Sequence, residues 1–345
     1  MFTRACVITT GLLALFMGGM AIGVRSTLAQ LVVMNERICA LRHVIGVEMR
    51  RIVALAVDEK SPASSLAVPS LEEEFLQVRC YSDDTSNFFI DMQARDLVYD
   101  RPMVRVNEGD TVHSAVLNMR EERATCALVI RTDATLMGIV DGLDIVRFMM
   151  SPRDPMQCSI AAAVRQCVLA SPGAPLVDLV NHLKQGRRYI AIRNVSTFTV
   201  LSQGSIVRHV FQRLDESALS VTVRETFAHK KIITCTFDAD AQEAFQLMSA
   251  FSVTSIPIIG RGGELVAVIT AESVLHAEPV DLERNVIAYT SHFCKRDFVS
   301  CTHDDTLEFV FRAMIETDAR HVYVLDGDQA PTNVISFVDL LRVCA

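Results

Sequence analysis

Gly138-Ile139-Val140-Asp141-Gly142-Leu143-Asp144-Ile145-Val146 reads as an apolar strand that passes through a short polar turn into a helix, and the chain repeats it three more times. The later copies are Val200-Leu201-Ser202-Gln203-Gly204-Ser205-Ile206-Val207, Val268-Ile269-Thr270-Ala271-Glu272-Ser273-Val274-Leu275 and Val334-Ile335-Ser336-Phe337-Val338-Asp339-Leu340-Leu341. The anchor positions Asp144, Ser205, Ser273 and Asp339 recur at intervals of roughly 61 to 68 residues. Before each copy lies another apolar, β-branched run (126–130, 187–192, 253–259, 320–326). Before that lies a helical run (114–119, 176–183, 241–248, 307–315).

Working outward, each unit of about 60 residues between 92 and 345 reads strand–helix–strand–strand–helix, an α/β (α+β) pattern with a small sheet covered by helices. One such unit cannot bury both its sheet and its helices, whereas two related by a pseudo-twofold axis can. The expected organisation is therefore two tandem pairs, 92–214 and 215–345. Ser151-Pro152-Arg153-Asp154-Pro155 links the first two units, Asp215-Glu216-Ser217 separates the pairs, and Glu278-Pro279-Val280-Asp281 links the last two.

The N-terminal part reads differently. Residues 5–24 carry no charge and are long enough to span a bilayer core. Thr27-Leu28-Ala29 offers a weak cleavage site, so a membrane anchor, a signal segment and a docked hydrophobic helix all remain open. Residues 31–57 space their apolar side chains as a helix does, so 1–57 is a hydrophobic segment followed by an amphipathic helix. Residues 58–91, with Lys60-Ser61-Pro62 and Glu72-Glu73-Glu74, form a linker and lead-in. Arginines outnumber cations of the N-terminal flank after 5–24, so a membrane-anchored chain would face its repeats to the cytosol.

Bulk composition narrows the function. Half of the 345 residues are hydrophobic and the net charge is −8, which disfavours a nucleic-acid-coating surface. A phosphate ligand therefore needs a local cluster of positive charge. The ten cysteines form no C-x-x-C pair and fall mostly on apolar strands, as buried reduced thiols do, which fits the cytosol. The nine histidines are dispersed, so no metal site is expected. No G-x-S-x-G, H-E-x-x-H or G-x-x-x-x-G-K-[ST] occurs, and nothing sets a nucleophile beside a base, so no catalytic activity is expected. Gly260-Arg261-Gly262-Gly263 reads as a hairpin turn.

The repeated blocks resemble CBS domains, which close each unit with an apolar strand, glycine, apolar residues, Thr or Ser, two variable residues, Asp and a helix. Residues 138–145 show that ending well, and 334–340 show it without the glycine. Two tandem pairs with no attached catalytic domain resemble the gamma subunits of AMP-activated protein kinase, over about 250 of the 345 residues. The resemblance implies a non-catalytic subunit that senses AMP, ADP or ATP as regulatory ligands, without a cofactor, and modulates kinase catalytic and scaffold subunits. A kinase-complex scaffold with degenerate pockets, and a regulator of a transporter or another enzyme, are the alternatives.

The resemblance also implies a site. Basic residues opening the second strand of the even units, Arg187-Arg188 and Arg320-His321, would reach phosphates. Asp339 would accept the ribose hydroxyls, with Ser336, Thr226, Thr254 and Ser255 completing that pocket. Asp144 would do the same in the first unit, where adenine would lie against Ile139. Departures bear on this. Ser205 and Ser273 stand where an acid is used, and Asp141 replaces Thr or Ser, where it would repel phosphate unless it is merely a solvated turn residue. The Asp144 pocket is thus expected to bind poorly or to prefer a neutral nucleoside, and the Asp339 pocket to be the better nucleotide site.

Overall fold

The computed structural model describes residues 89, 91–97, 103–150, 157–195, 197–294 and 298–344. The expected hydrophobic segment and amphipathic helix of 1–57, and nearly all of 58–91, lie outside them. Among the described residues no helix is long and apolar enough to cross a membrane.

Four three-stranded sheets carry the repeat. The first joins β1 (Val104–Asn107), β2 (Cys126–Ile130) and β3 (Leu136–Asp141), with α1 (Val112–Glu121) between β1 and β2 and α2 (Gly142–Met149) after β3. The second has β4 (Val168–Ala170), α3 (Leu176–Lys184), β5 (Tyr189–Arg193), β6 (Phe198–Ser202) and α4 (Gln203–Phe211). After two single turns, α5 (Glu216–Leu219) and α6 (Val223–Thr226), the third has β7 (Cys235–Thr236), α7 (Ala241–Phe251), β8 (Ser255–Ile259) and β9 (Leu265–Thr270). The fourth follows α8 (Val286–Phe293) with β10 (Val299–Cys301), α9 (Leu307–Thr317), β11 (His321–Leu325), β12 (Pro331–Ser336) and α10 (Phe337–Cys344). In every sheet the first strand pairs parallel with the second, and the third pairs antiparallel with it.

The elements follow from local chemistry. Each middle strand is covered on both faces, which is why CALVI, YIAIR, SIPII and HVYVL read as unbroken apolar runs. Side chains at helix starts satisfy the free N–H groups: Thr111 accepts from Ser114 N, Asp240 from Glu243 N and Thr306 from Phe309 N. β7 pairs over two residues only, beside Pro257, which has no N–H to donate. The third unit ends in a 3-10 helix, Ala271–His276, rather than an α-helix. The Gly260–Gly263 stretch is the β8–β9 hairpin, closed by Gly260 N donating to Glu264 O at 2.8 Å, with Gly263 at φ 92.

Packing links the units into a ring. The first and second sheets meet through Leu128, Ile139, Tyr189 and Ala191, and the third and fourth through Leu265, Tyr323 and Leu325. The helices pack the other way. One core joins the first and third units (Met119, Ile145, Phe245, Val274), the other the second and fourth (Leu183, Val207, Phe311, Leu341). Phe211 stacks on Phe311 across the second core, with ring centroids 5.3 Å apart.

Within each sheet-joined pair the lead-ins are exchanged. Residues 89–97 bond onto the second unit (Ala94 N to Ala174 O, 2.9 Å), and residues 158–165 onto the first (Val112 N to Cys158 O, 2.9 Å). The lead-in at 221–228 bonds onto the fourth unit (Val223 N to Asp305 O, 2.8 Å), and that at 284–286 onto the third (Val286 N to Ala239 O, 2.9 Å). This exchange is the pseudo-twofold relation expected of tandem pairs.

Cys126, Cys167, Cys235, Cys294 and Cys301 form no disulfide, and Cys126, Cys235 and Cys301 are buried. Burial pushes the Cys126 and Cys301 thiols up to about 12, so they behave as apolar filling.

Gly142 opens α2 against the third unit, where an added Cβ would lie 2.7 Å from the backbone oxygen of Ala271. Gly142→Ala is expected to lower stability by about 1–3 kcal/mol. Urea unfolding checks this; an unchanged midpoint would mean that the first and third units do not pack as described.

Candidate functional site

The acid positions lie at helix starts where the ring closes. Asp141 caps α2, accepting from Leu143 N at 3.0 Å and Asp144 N at 3.3 Å, while Asp144 accepts from Asp141 N at 3.1 Å. This reciprocal capping box buries both side chains. The reading of Asp141 as a solvated turn residue is corrected here: it is 2% exposed. Its Oδ2 pairs with Arg165 Nη2 and with Arg188 Nη2, each at 3.0 Å. Arg165 Nε also lies 3.3 Å from Asp144 Oδ1. Burial, then the Asp141 charge, raise the Asp144 pKa, and Arg165 and Arg188 oppose them.

Arg165 belongs to the lead-in exchanged from the second unit. It is fixed by two backbone bonds with Ile139, each 3.0 Å. Gly138 permits the approach, since a Cβ there would meet Arg165 O at 2.4 Å.

Asp339 repeats the pattern in the fourth unit. Its Oδ2 accepts from Ser336 N at 2.8 Å and Ser336 Oγ at 2.7 Å. Its Oδ1 is ion-paired with Lys230, again from an exchanged lead-in. At the other two anchor positions Ser205 shares a hydrogen bond with Ser202 (Oγ to Oγ, 2.9 Å), and Ser273 donates to Thr270 O at 2.7 Å.

The open space lies elsewhere. A cavity of about 400 Å³ is walled by β5, β6, the start of α4 and residues of the first and fourth units, and Arg105, Arg188, Arg208 and Arg320 line it. Tyr189, Phe198 and Phe337 supply its aromatic wall, and among the described residues Asp318 is its one acidic residue. A second cavity, of about 270 Å³, lies beside Ser273 and is lined by Glu272, His276, Cys294 and His321, among others. Thr125, Asp318 and Arg320 border both. Among the described residues, no group of three or more His, Cys, Asp or Glu is placed to hold a metal ion.

Three arginines of the larger cavity bridge neighbouring units of the ring. Arg188 bonds Asp141 between the second and first units. Arg208 bonds Asp318 at 2.6 Å between the second and fourth. Arg320 bonds Glu272 at 3.0 Å between the fourth and third, with its guanidinium 6.0 Å from the Tyr189 ring centroid. Arg120 closes the circuit outside the cavity, 3.7 Å from Glu278 of the third unit. Burial acts to lower the Arg320 pKa, but Glu272 and Tyr189 outweigh it, so the group is held firmly charged. Asp318 owes its position to a left-handed C-cap on α9, at φ 55.

The residues expected to form the site therefore divide. Arg188 and Arg320 line the larger cavity; Arg320 and His321 line the smaller. Asp339, Ser336, Asp144, Thr226, Thr254, Ser255, Ile139 and Arg187 line neither. Thr226 Oγ1 donates to Thr222 O at 2.8 Å, and Ser255 bonds the Tyr323 hydroxyl at 2.7 Å. Ile139 is buried between the first two sheets, and Arg187 is exposed. His321 bonds Thr254 Oγ1 through Nε2 at 3.0 Å. Burial pushes its pKa down to about 4, so at neutral pH it offers hydrogen bonding rather than positive charge.

Sequence reasoning missed Arg165, Lys230, Arg208, Glu272 and Asp318. One signal was available: two acids three residues apart in an otherwise apolar helix start require cations from another element.

The unfolded histidine titrates near 6.5 and the folded one near 4, so between those values the unfolded chain binds more protons. On its own His321 is expected to cost about 1–3 kcal/mol of stability as pH drops from 7 to 5, partly offset by the raised Asp144 carboxyl, and His321→Gln to remove that cost. Denaturant titrations at several pH values check this; equal slopes in the two proteins would refute it.

Comparison with known proteins fits this architecture. The CBS domain family matches residues 94–151, 223–279 and 291–345. The intervening stretch carries the second sheet, with the same strand order as the others. MJ1225 of Methanocaldococcus jannaschii, an uncharacterised protein, is 23% identical over 142 residues, 41% of this chain; the match spans about half (49%) of that relative's length. Its crystal structure, of a protein proposed as an archaeal homologue of g-AMPK, superposes with a TM-score of 0.64 at 16% identity, covering 74% of this chain and 100% of that one. An uncharacterised conserved protein from Pyrococcus horikoshii is likewise 16% identical, with a TM-score of 0.48 over 74% of this chain and 100% of its own. Three matched stretches, a fourth sheet of the same topology and exchanged pairing between neighbours identify the chain as a CBS-domain protein of four units in two tandem pairs.

Proposed function

We propose that this chain is a regulatory, non-catalytic protein that binds an adenine nucleotide in the arginine-lined cavity and passes its occupancy to a partner protein kinase. One observation carries the reading: among the described residues, a cavity of about 400 Å³ is lined by four arginines and one carboxylate. Guanidinium groups bind phosphate through paired, charge-assisted hydrogen bonds, and a base can lie against aromatic rings. Each arginine has five N–H donors, so pairing with one carboxylate leaves donors for a phosphate. Thr199 Oγ1, on the cavity wall, is buried without a hydrogen-bond partner and is a ready group for a ligand.

The choice of adenine, and of kinase catalytic and scaffold subunits as partners, rests on the resemblance to the gamma subunits. The proposed homology of MJ1225 to g-AMPK supports it. The ligand influences a partner only through its differing affinity for two conformations. Arg188, Arg208 and Arg320 each bridge two units, so phosphate drawing on their donors acts on three junctions of the ring at once.

One observation favours a scaffold with degenerate pockets. The acids expected to grip ribose, Asp144 and Asp339, are tied to Arg165 and Lys230. Calorimetric titration with AMP, ADP and ATP separates the readings. Nucleotide binding is expected, with Arg188→Gln and Arg208→Gln each weakening it by roughly tenfold to a hundredfold, as the loss of a charged hydrogen bond does. No heat, and no rise in melting temperature at millimolar nucleotide, would leave the scaffold reading. Affinity purification from the source cells tests the partner: kinase subunits are expected, and a transporter or another enzyme in their place would overturn that part.

A further inference from the structure

The two acid-bearing anchor positions are already filled, and both are filled in the same way. Asp339 is 7% exposed and has one oxygen committed to Ser336 N and Oγ. Lys230 takes the other oxygen. In the first unit Asp144 Oδ2 accepts from Asp141 N and lies 3.4 Å from Arg165 Nη2, while Oδ1 faces Arg165 Nε at 3.3 Å and Arg147 at 3.6 Å. A carboxylate has about four lone-pair sites, and the cis-diol of a ribose needs at least two of them free.

The two cations have corresponding origins. Arg165 follows the first sheet's last strand, bonding to Ile139 on β3. The stretch that delivers Lys230 follows the fourth sheet's last strand, with Ala228 O accepting from Asn333 Nδ2 on β12 at 2.9 Å. Each cation thus arrives on the exchanged lead-in of the paired unit. The serine-bearing positions present no carboxylate to fill, and the two described cavities lie beside them, with Ser202 lining one and Ser273 the other.

We infer that Lys230 is a built-in occupant of the Asp339 position, holding the carboxylate that a ribonucleoside diol would otherwise take, so that this position binds no nucleoside while Lys230 is in place. Arg165 does the same for Asp144. Lys230 and Arg165 are then the residues that decide which anchor positions admit a ligand. Of the two, Lys230 is the replaceable one: a single flexible ammonium holds Asp339, whereas a guanidinium held between two carboxylates, and backed by Arg188, holds the first-unit position.

The test uses the full chain and adenosine, which has the diol but no phosphate, so its outcome is separable from that of the arginine-lined cavity. Equilibrium dialysis counts adenosine bound per chain. Asp339→Asn alone is expected to leave the count unchanged, because the acid is unavailable in the parent protein. Lys230→Ala is expected to raise the count by one, and Asp339→Asn in that background to remove the gain. Peptide mapping after acylation gives a second readout that needs no ligand and no folded Lys230→Ala protein. Lys230 is expected to be protected in the parent and labelled in Asp339→Asn, with the exposed Lys231 as internal reference. A fall in adenosine count in Asp339→Asn alone overturns the inference. So does equal labelling of Lys230 with and without Asp339, or a folded Lys230→Ala chain that binds no more adenosine than the parent.

Discussion

Asp141 and Asp144 lie almost wholly out of water where the four units converge, and ionised carboxylates in that position must be met by cations. Among the described residues, no cation of their own sheet meets Asp141; Arg165 and Arg188 come from the neighbouring unit. The same need recurs around the ring, where Asp318 draws Arg208 and Glu272 draws Arg320. Such pairs add little net stability, because desolvation offsets attraction, but a misplaced unit would leave a buried charge unpaired. Stability comes from the two apolar cores and the sheet contacts; the ion pairs fix which unit meets which. This division of labour explains how apolar helices of similar pattern avoid packing in alternative orders.

The pairing also determines what the centre can bind. Guanidinium groups tied to acids at the junctions line the shared space, and the result is an arginine-rich cavity in an acidic protein. The cluster of arginines that a phosphate would need is present here, on residues that also bridge the units. A ligand at this place is not isolated from the fold, since any group that draws on Arg188, Arg208 or Arg320 competes with a carboxylate joining two units.

The fold was largely legible in the sequence, because strand–turn–helix endings in register need only local pattern. The four sheets sit on the runs around residues 126–141, 187–202, 253–270 and 320–336. The crosswise packing of the helix layers, first with third and second with fourth, was not, since nothing in a single unit's periodicity selects its partner. The site was legible in part. The resemblance to CBS proteins pointed to Arg188 and Arg320, and both line the cavity. Asp339 and Asp144 stand out equally, yet their partners Lys230 and Arg165 lie on loop stretches about 110 and 20 residues away in sequence, on lead-ins exchanged from the paired unit. Arg187 and Arg188 are adjacent and alike in the sequence; the alternation of a strand start sends one to solvent and the other to Asp141.

A crystal structure of the full chain grown with AMP tests the central claim most directly. Phosphate oxygens within hydrogen-bond distance of Arg188, Arg208 and Arg320, with Lys230 still on Asp339, are the expected result. AMP seated with its ribose on the Asp339 carboxylate and the arginine-lined cavity empty would contradict it.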